Sequence, residues 1–279
     1  MLLPTLVVVV IVALFPLCQT IYYSFTDQQF LSGVTPTQWV GLKNYTNLLQ
    51  DTIFRDSIVT TIKFTIITVI FECILGMIIA LVVNSNFRGR GGMRAAMLVP
   101  WAIPTVVSTQ MWKWMYNDVY GVFNDLLTRL HIISSNVAWI SRPSTSLAAI
   151  CAVDIWKTTP FVALLLLAGL QVIPADVYEA ADVDGAGKIQ QFFRITLPLL
   201  RPAIMVMLIF RTLDALRVFD AFYVMFGSRE DTQTMAVYAQ NTIVGGGDVG
   251  YGSAISVAIF AIIAVFVVIY VTAFKVEQS

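Results

Sequence analysis

Long apolar runs recur along this chain, each close to the ~20 residues an α-helix needs to cross a bilayer, and they leave few alternatives to a bundle of membrane-spanning helices. They occupy about residues 2–23, 58–83, 93–116, 147–169, 203–226 and 253–274. In lipid every backbone N–H and C=O must find a partner inside the protein, so runs of this length read as helices. The expected fold class is an all-α integral membrane protein with six transmembrane helices, one domain over residues 1–279. Composition agrees: 58% of residues are hydrophobic and 12% charged, where a soluble domain carries about 25% charged residues.

The same sequence excludes several function classes. Basic and acidic residues balance at 17 each, which gives no electrostatic footprint for nucleic acid. Cys18, Cys73 and Cys151 lie inside apolar stretches without metal-ligand or disulfide spacing, and His131 is the single histidine. Gly187-Lys188 is not a phosphate loop, because Asp182 stands where the first glycine is required and Ile189 follows the lysine. The first apolar run has no basic leader or small-residue cleavage site, so it reads as a span and not a signal peptide.

Charge placement orients the chain. Arg88, Arg90, Arg94, Lys188, Arg194, Arg201 and Lys275 crowd the short loops of one side. Lys43, Arg55, Arg129, Arg142 and Arg229 are spread over the longer loops of the other, about residues 26–57 and 117–145 among them. The basic side is therefore cytoplasmic, and with six spans both termini share it. In the third run, Pro100-Trp101-Ala102-Ile103-Pro104 places two prolines where they break the hydrogen-bond ladder. Trp112 and Trp114 suit the outer interface, whereas Trp101, between prolines, suits a pathway.

The cytoplasmic segment 174–201 is the longest polar interruption that also has helical signals. Pro174 can open a helix, Asp176 and Glu179 favour its N-terminal half, and Gly185 suits a left-handed stop. A second short helix is expected to end at Leu197-Pro198. The result is either a docking knob or an ordinary loop with two amphipathic turns.

Charges inside the apolar runs are the remaining signal. Glu72 sits near the middle of the second run and must face protein or water. Asp154-Ile155-Trp156-Lys157-Thr158-Thr159-Pro160 is unusually polar for hydrocarbon depth, and Arg211, Asp214, Arg217 and Asp220 alternate in sign every three residues. Steps of three keep neighbours on one helical face, so these four could form an ion-pair ladder helped by Lys157. Alternatively, some of them line a path for a polar solute.

Glu179-Ala180-Ala181, Gly185, Ile195 and Leu197-Pro198, at these spacings, resemble the signature cytoplasmic loop of the membrane-spanning subunits of binding-protein-dependent ABC importers. The resemblance implies the type I permease fold, with Glu179, Ala180, Ala181, Asp184 and Gly185 coupling to an ATPase. It also implies a homologous second permease, two ATPase subunits that bind ATP and Mg, and an extracytoplasmic solute-binding protein. This chain would carry no catalytic residue, metal or cofactor, and would sit in the cytoplasmic (inner) membrane of a bacterium or archaeon. Ile155 to Phe161 and Phe210 to Asp220 are similar to the matching helices of sugar permeases of the trehalose and maltose type. That similarity implies a sugar site at Asp154, Trp156, Thr158, Phe161, Asp214 and Arg217. Phe226-Gly227-Ser228-Arg229 departs from the glycine-glycine-proline usual after the fifth span. Two alternatives stand beside this reading. One is a glycerol phosphate or polyol cargo held by Arg211 and Arg217; the other is an ion-coupled secondary transporter using Glu72, Asp214 or Asp220.

Overall fold

The computed structural model describes residues 3–30, 37–85 and 87–275. Residues 1–2 and 276–279, the ends expected in the cytoplasm, lie outside the described residues, as do residues 31–36 of the first loop expected outside and residue 86 of the basic turn. Helices dominate throughout. In chain order they are α1 (Leu3–Val9), α2 (Phe15–Tyr23), α3 (Lys43–Gln50), α4 (Thr52–Asn84), α5 (Arg90–Met97), α6 (Val99–Ala102), α7 (Thr105–Met115) and α8 (Val122–Arg129). They continue with α9 (Pro143–Leu170), α10 (Ala175–Val183), α11 (Lys188–Gln191), α12 (Leu197–Leu216), α13 (Asp220–Phe226), α14 (Met235–Gln240) and α15 (Val249–Lys275).

Among the described residues, five helical runs are long and apolar enough to cross a membrane: Leu6–Tyr23, Thr52–Asn84, Pro143–Leu170, Lys188–Phe226 and Val249–Tyr270. The third expected span is instead split into α5, α6 and α7. Ile103 and Pro104 are extended, with ψ of 132° and 139°, because the residue before a proline avoids the helical region and Pro104 has no N–H to continue the ladder.

Three boundaries differ from the sequence expectation. First, α4 starts at Thr52 and not near 58, because the Asp51 carboxylate accepts from the Ile53 and Phe54 N–H groups at 2.9 and 3.1 Å and caps the helix. Second, the segment from Lys188 does not stop at Pro198. A π turn, Phe192–Thr196, leads straight into α12, and its wider bore relieves the clash between the Pro198 ring and the preceding turn. Third, the fifth run is not one helix: it breaks after Leu216 and restarts at Asp220. The Thr234 hydroxyl takes the Val218 carbonyl freed by that break, at 2.8 Å, and Asp220 supplies negative charge at the new N-terminus.

The chain forms two compact units. Among the described residues, one comprises those of 63–216 with 273–275, the other those of 3–62 with 217–272. In the former, α4, α9 and α12 enclose a core of Met77, Ala80, Val83, Val162, Leu166, Leu170, Leu200 and Met207. Glycines set the closeness of these helices: a Cβ on Gly76 would stand 2.5 Å from Val162, and one on Gly169 would stand 2.5 Å from Ala203. In the other unit, Leu48 and Phe54 pack with Met235, Ala239, Ile255 and Ile259. There the second oxygen of Asp51 accepts from the Tyr238 and Tyr251 hydroxyls at 2.5 and 2.6 Å.

Candidate functional site

Each long helix of the 63–216 unit sends polar side chains into one cluster. Glu72 comes from α4, Asp154 and Thr158 from α9, and Arg211 and Asp214 from α12. On α9, residues 154, 158 and 161 fall at spacings of four and three, so they share a face. The Arg211 guanidinium is the hub. Its Nε lies 2.6 Å from Glu72 Oε2 and its Nη2 2.9 Å from Glu72 Oε1, a fork-on-fork pair. Nη2 also reaches Asp154 Oδ2 at 2.9 Å, and Nη1 reaches Asp214 Oδ2 at 2.8 Å. The Thr158 hydroxyl donates to Glu72 Oε1.

The cluster has a sealed end and an open one. Glu72 is fully buried and the Arg211 side chain is 3% exposed, whereas the Asp214 side chain is 59% exposed. On the mildest scale an isolated charge at the bilayer centre costs roughly 2.5–3.5 kcal/mol, so none of these groups could stand alone at that depth. The open end offers carboxylate oxygens, which only accept hydrogen bonds. Of the expected ladder, the Arg211–Asp214 rung forms within α12. Arg217 follows the end of α12, is exposed, and belongs to the other unit.

An aromatic wall continues the α9 face. The Phe161 and Trp101 rings stack at 5.7 Å with 13° between their planes. Beside them the Lys157 ammonium donates to the carbonyls of Ile103 at 2.8 Å and Trp101 at 3.3 Å. Trp156 does not join this face. It meets Trp112 edge-on at 5.6 Å, and Trp112 in turn stacks on Phe123. Of the six residues assigned to a sugar site, Asp154, Thr158 and Asp214 thus meet in one cluster, with Phe161 extending its face. Sequence reasoning missed that Glu72 and Arg211, 139 positions apart, are partners. The available signal was that a lone acid and a lone base in separate apolar runs each need an opposite charge.

Segment 174–201 folds as a braced knob. Past the end of α10, Gly185 turns the chain with φ +76°, the left-handed stop expected there, and the Ala186 N–H returns to Ala181 O at 2.9 Å. Asp182 ties α11 back onto α10 by accepting from Lys188 at 2.9 and 3.1 Å and from Gln191 at 2.5 Å; these bonds hold its carboxyl below the usual carboxylate range. Tyr178 and Thr196 join through their hydroxyls at 2.9 Å. Glu179, Ala180, Asp184 and Gly185 are exposed, but Ala181 faces inward and is buried, bracing the knob. Val183, Ile189 and Phe193 add bare apolar surface at 88%, 78% and 61% exposure. Ile189 and Phe193 also line a cavity of about 700 Å³, together with Asn84, Tyr178, Lys188 and Thr196.

Apolar helices with a polar cluster in their interior and a braced, partly apolar knob between two of them describe a membrane-embedded transport component. The chain belongs to the family of binding-protein-dependent transport system inner membrane components, whose pattern spans residues 72–276. Cluster and knob both fall within that range. Membership makes the chain a non-enzymatic part of a multi-component system, against the alternative of a self-contained ion-coupled carrier. The chain is 43% identical over 272 residues to the trehalose/maltose transport system permease protein MalF of Thermococcus litoralis, covering 97% of this chain and 90% of that protein. It is 42% identical over 261 residues to the sulfoquinovosyl glycerol transport system permease protein SmoG of Agrobacterium fabrum, covering 93% and 84%. The fold matches a crystal structure of a bacterial ABC transporter involved in the import of the acidic polysaccharide alginate. There the TM-score is 0.87 at 22% identity, over 100% of this chain and 95% of that one. The fold is that of an ABC importer permease.

Proposed function

We propose that this chain is one of two permease subunits of an ATP-driven importer that passes a disaccharide, of the trehalose or maltose kind, into the cytoplasm. An extracytoplasmic binding protein delivers the sugar, and a homologous second permease completes the path. Two ATPase subunits, which bind ATP and Mg, dock on the Glu179–Pro198 face. Both termini lie on the cytoplasmic side. Closure of the ATPase pair moves the docked knob, and because the π turn joins it to α12 without a loop, the motion reaches Arg211 and Asp214 through continuous helix.

The observation that carries this reading is the acceptor-rich pair of Asp154 and Asp214, with Phe161, stacked on Trp101, further along the α9 face that bears Asp154. Sugar hydroxyls donate to carboxylates, and the C–H face of a pyranose ring packs on an aromatic plane. The relative named for trehalose and maltose supports the same class.

Charge separates the possible cargoes. Glu72, Asp154 and Asp214 outnumber Arg211 and Lys157, and the Arg211 fork is already taken by three carboxylates. That arrangement favours a neutral polyhydroxylated solute over glycerol phosphate. The likeness to the sulfoquinovosyl glycerol permease favours a second reading, in which the cargo is a sulfonated glycoside and Arg217 meets its anion. The test is uptake into proteoliposomes holding the chain with its cognate partners. ATP-dependent entry of labelled trehalose or maltose, with sulfoquinovosyl glycerol a poor competitor, supports the neutral reading. Entry of the sulfonated glycoside alone would replace it, and entry of neither would overturn the sugar assignment.

A further inference from the structure

The proline-broken third segment leaves carbonyls without helical donors. Pro104 has no N–H, Ile103 is extended, and α6 is only the four residues Val99–Ala102, too short to hold itself. At membrane depth there is no bulk water to take those oxygens, so the protein must supply a donor. Lys157 supplies it. Its ammonium lies 2.8 Å from Ile103 O and 3.3 Å from Trp101 O, and the residue is 8% exposed. The structure thus gives this buried cation a backbone target, where the sequence had suggested only neutralisation of nearby carboxylates.

Lys157 and Phe161 are four residues apart on α9, hence neighbours on one face. A single helix therefore holds Trp101 twice: Lys157 grips its main chain and Phe161 stacks on its ring. We propose that Lys157 is a positioning residue that fixes the broken third segment so that Trp101, 47% exposed, stands with Phe161 as the aromatic wall of the solute path. The proposal rests on the pathway reading above and adds to it the residue that sets the wall's geometry. A three-donor ammonium on a flexible stem can serve two diverging carbonyls, which a thioether cannot.

The experiment uses the assembled importer in proteoliposomes, with Lys157→Met, Lys157→Arg and Trp101→Ala, alone and combined. Trp101 emission is read as the difference from Trp101→Phe. Lys157→Met is expected to shift that emission and to raise KM for disaccharide uptake about three- to tenfold, the scale of one lost aromatic contact, with kcat changed by less than about twofold. Lys157→Arg keeps donors and recovers most of the KM, and in the Trp101→Ala background Lys157→Met adds nothing further. Unchanged Trp101 emission in Lys157→Met, or a full additional KM effect on Trp101→Ala, overturns the proposal. A shifted emission with normal KM in both Lys157→Met and Trp101→Ala instead overturns the pathway reading on which it stands. If Lys157→Met fails to assemble, Lys157→Gln, whose stem is shorter than that of lysine and places its amide donors short of the two carbonyls, carries the same readouts with a smaller KM shift.

Discussion

Arg211→Met removes a hub that makes four hydrogen bonds of 2.6 to 2.9 Å to three carboxylates. Two of those acceptors are enclosed: the Glu72 side chain is 0% exposed and that of Asp154 13%. Breaking a buried pair from one side costs ~3–5 kcal/mol, because the partner is left charged and dry. Asp214, in contact with solvent, adds less than about 1 kcal/mol. With roughly 2–4 °C per kcal/mol for a chain of this size, the apparent Tm falls by about 6–24 °C. The assay is thermal unfolding of the purified importer in detergent, followed by intrinsic fluorescence. Arg211→Met combined with Glu72→Gln and Asp154→Asn should recover at least about half of the loss, since no unpaired charge remains buried. A Tm within about 2 °C of the parent for Arg211→Met would show that the three helices hold without the cluster.

Two further outcomes follow from the geometry. Asp214→Ala, at the open end, should lower disaccharide uptake at least about tenfold while moving the apparent Tm by less than about 3 °C, because the side chain is largely exposed; unchanged uptake would assign it to packing alone. Asp51→Ala removes both the cap of α4 and the acceptor for Tyr238 and Tyr251, and should cost about 1–2 kcal/mol at pH 7. Burial works to raise the Asp51 pKa, but the tyrosine and backbone hydrogen bonds outweigh it and hold the carboxyl below its ordinary value. A carboxyl depressed in the fold stabilises above its unfolded pKa, about 3.9, and loses that contribution as pH falls through the lower folded value. The Tm difference between Asp51→Ala and the parent should therefore shrink below about pH 4, and a difference independent of pH would contradict the assignment.

What could be read from the chain was local. Apolar runs marked most of the spans, Gly185 marked its left-handed stop, and Pro100 and Pro104 marked the break in the third segment. What could not be read depends on neighbours distant in sequence. Nothing beside Glu72 names Arg211 as its partner, and nothing beside Lys157 says that its target is a main chain some 50 residues earlier. Pro198 misled for a related reason. A proline stops an α-helix of regular bore, but the π turn before it changes the geometry, and local propensity does not encode that turn. The break after Leu216 was equally hidden, since its freed carbonyl is taken by Thr234, 16 residues further on.

In the proposed function, force applied at the 174–201 knob drives solute past the polar face of α9 and α12. Its most direct test is the ratio of disaccharide imported to ATP hydrolysed in the reconstituted importer, for the parent and for Glu179→Lys. Glu179 is exposed on α10 and its side chain enters no described hydrogen bond, so the substitution leaves the spans folded. The account predicts that Glu179→Lys keeps the parent's Tm but loses at least about tenfold in import per ATP, or releases the ATPase on purification, as expected when a docking charge is reversed. Import and hydrolysis that stay coupled as in the parent would contradict it.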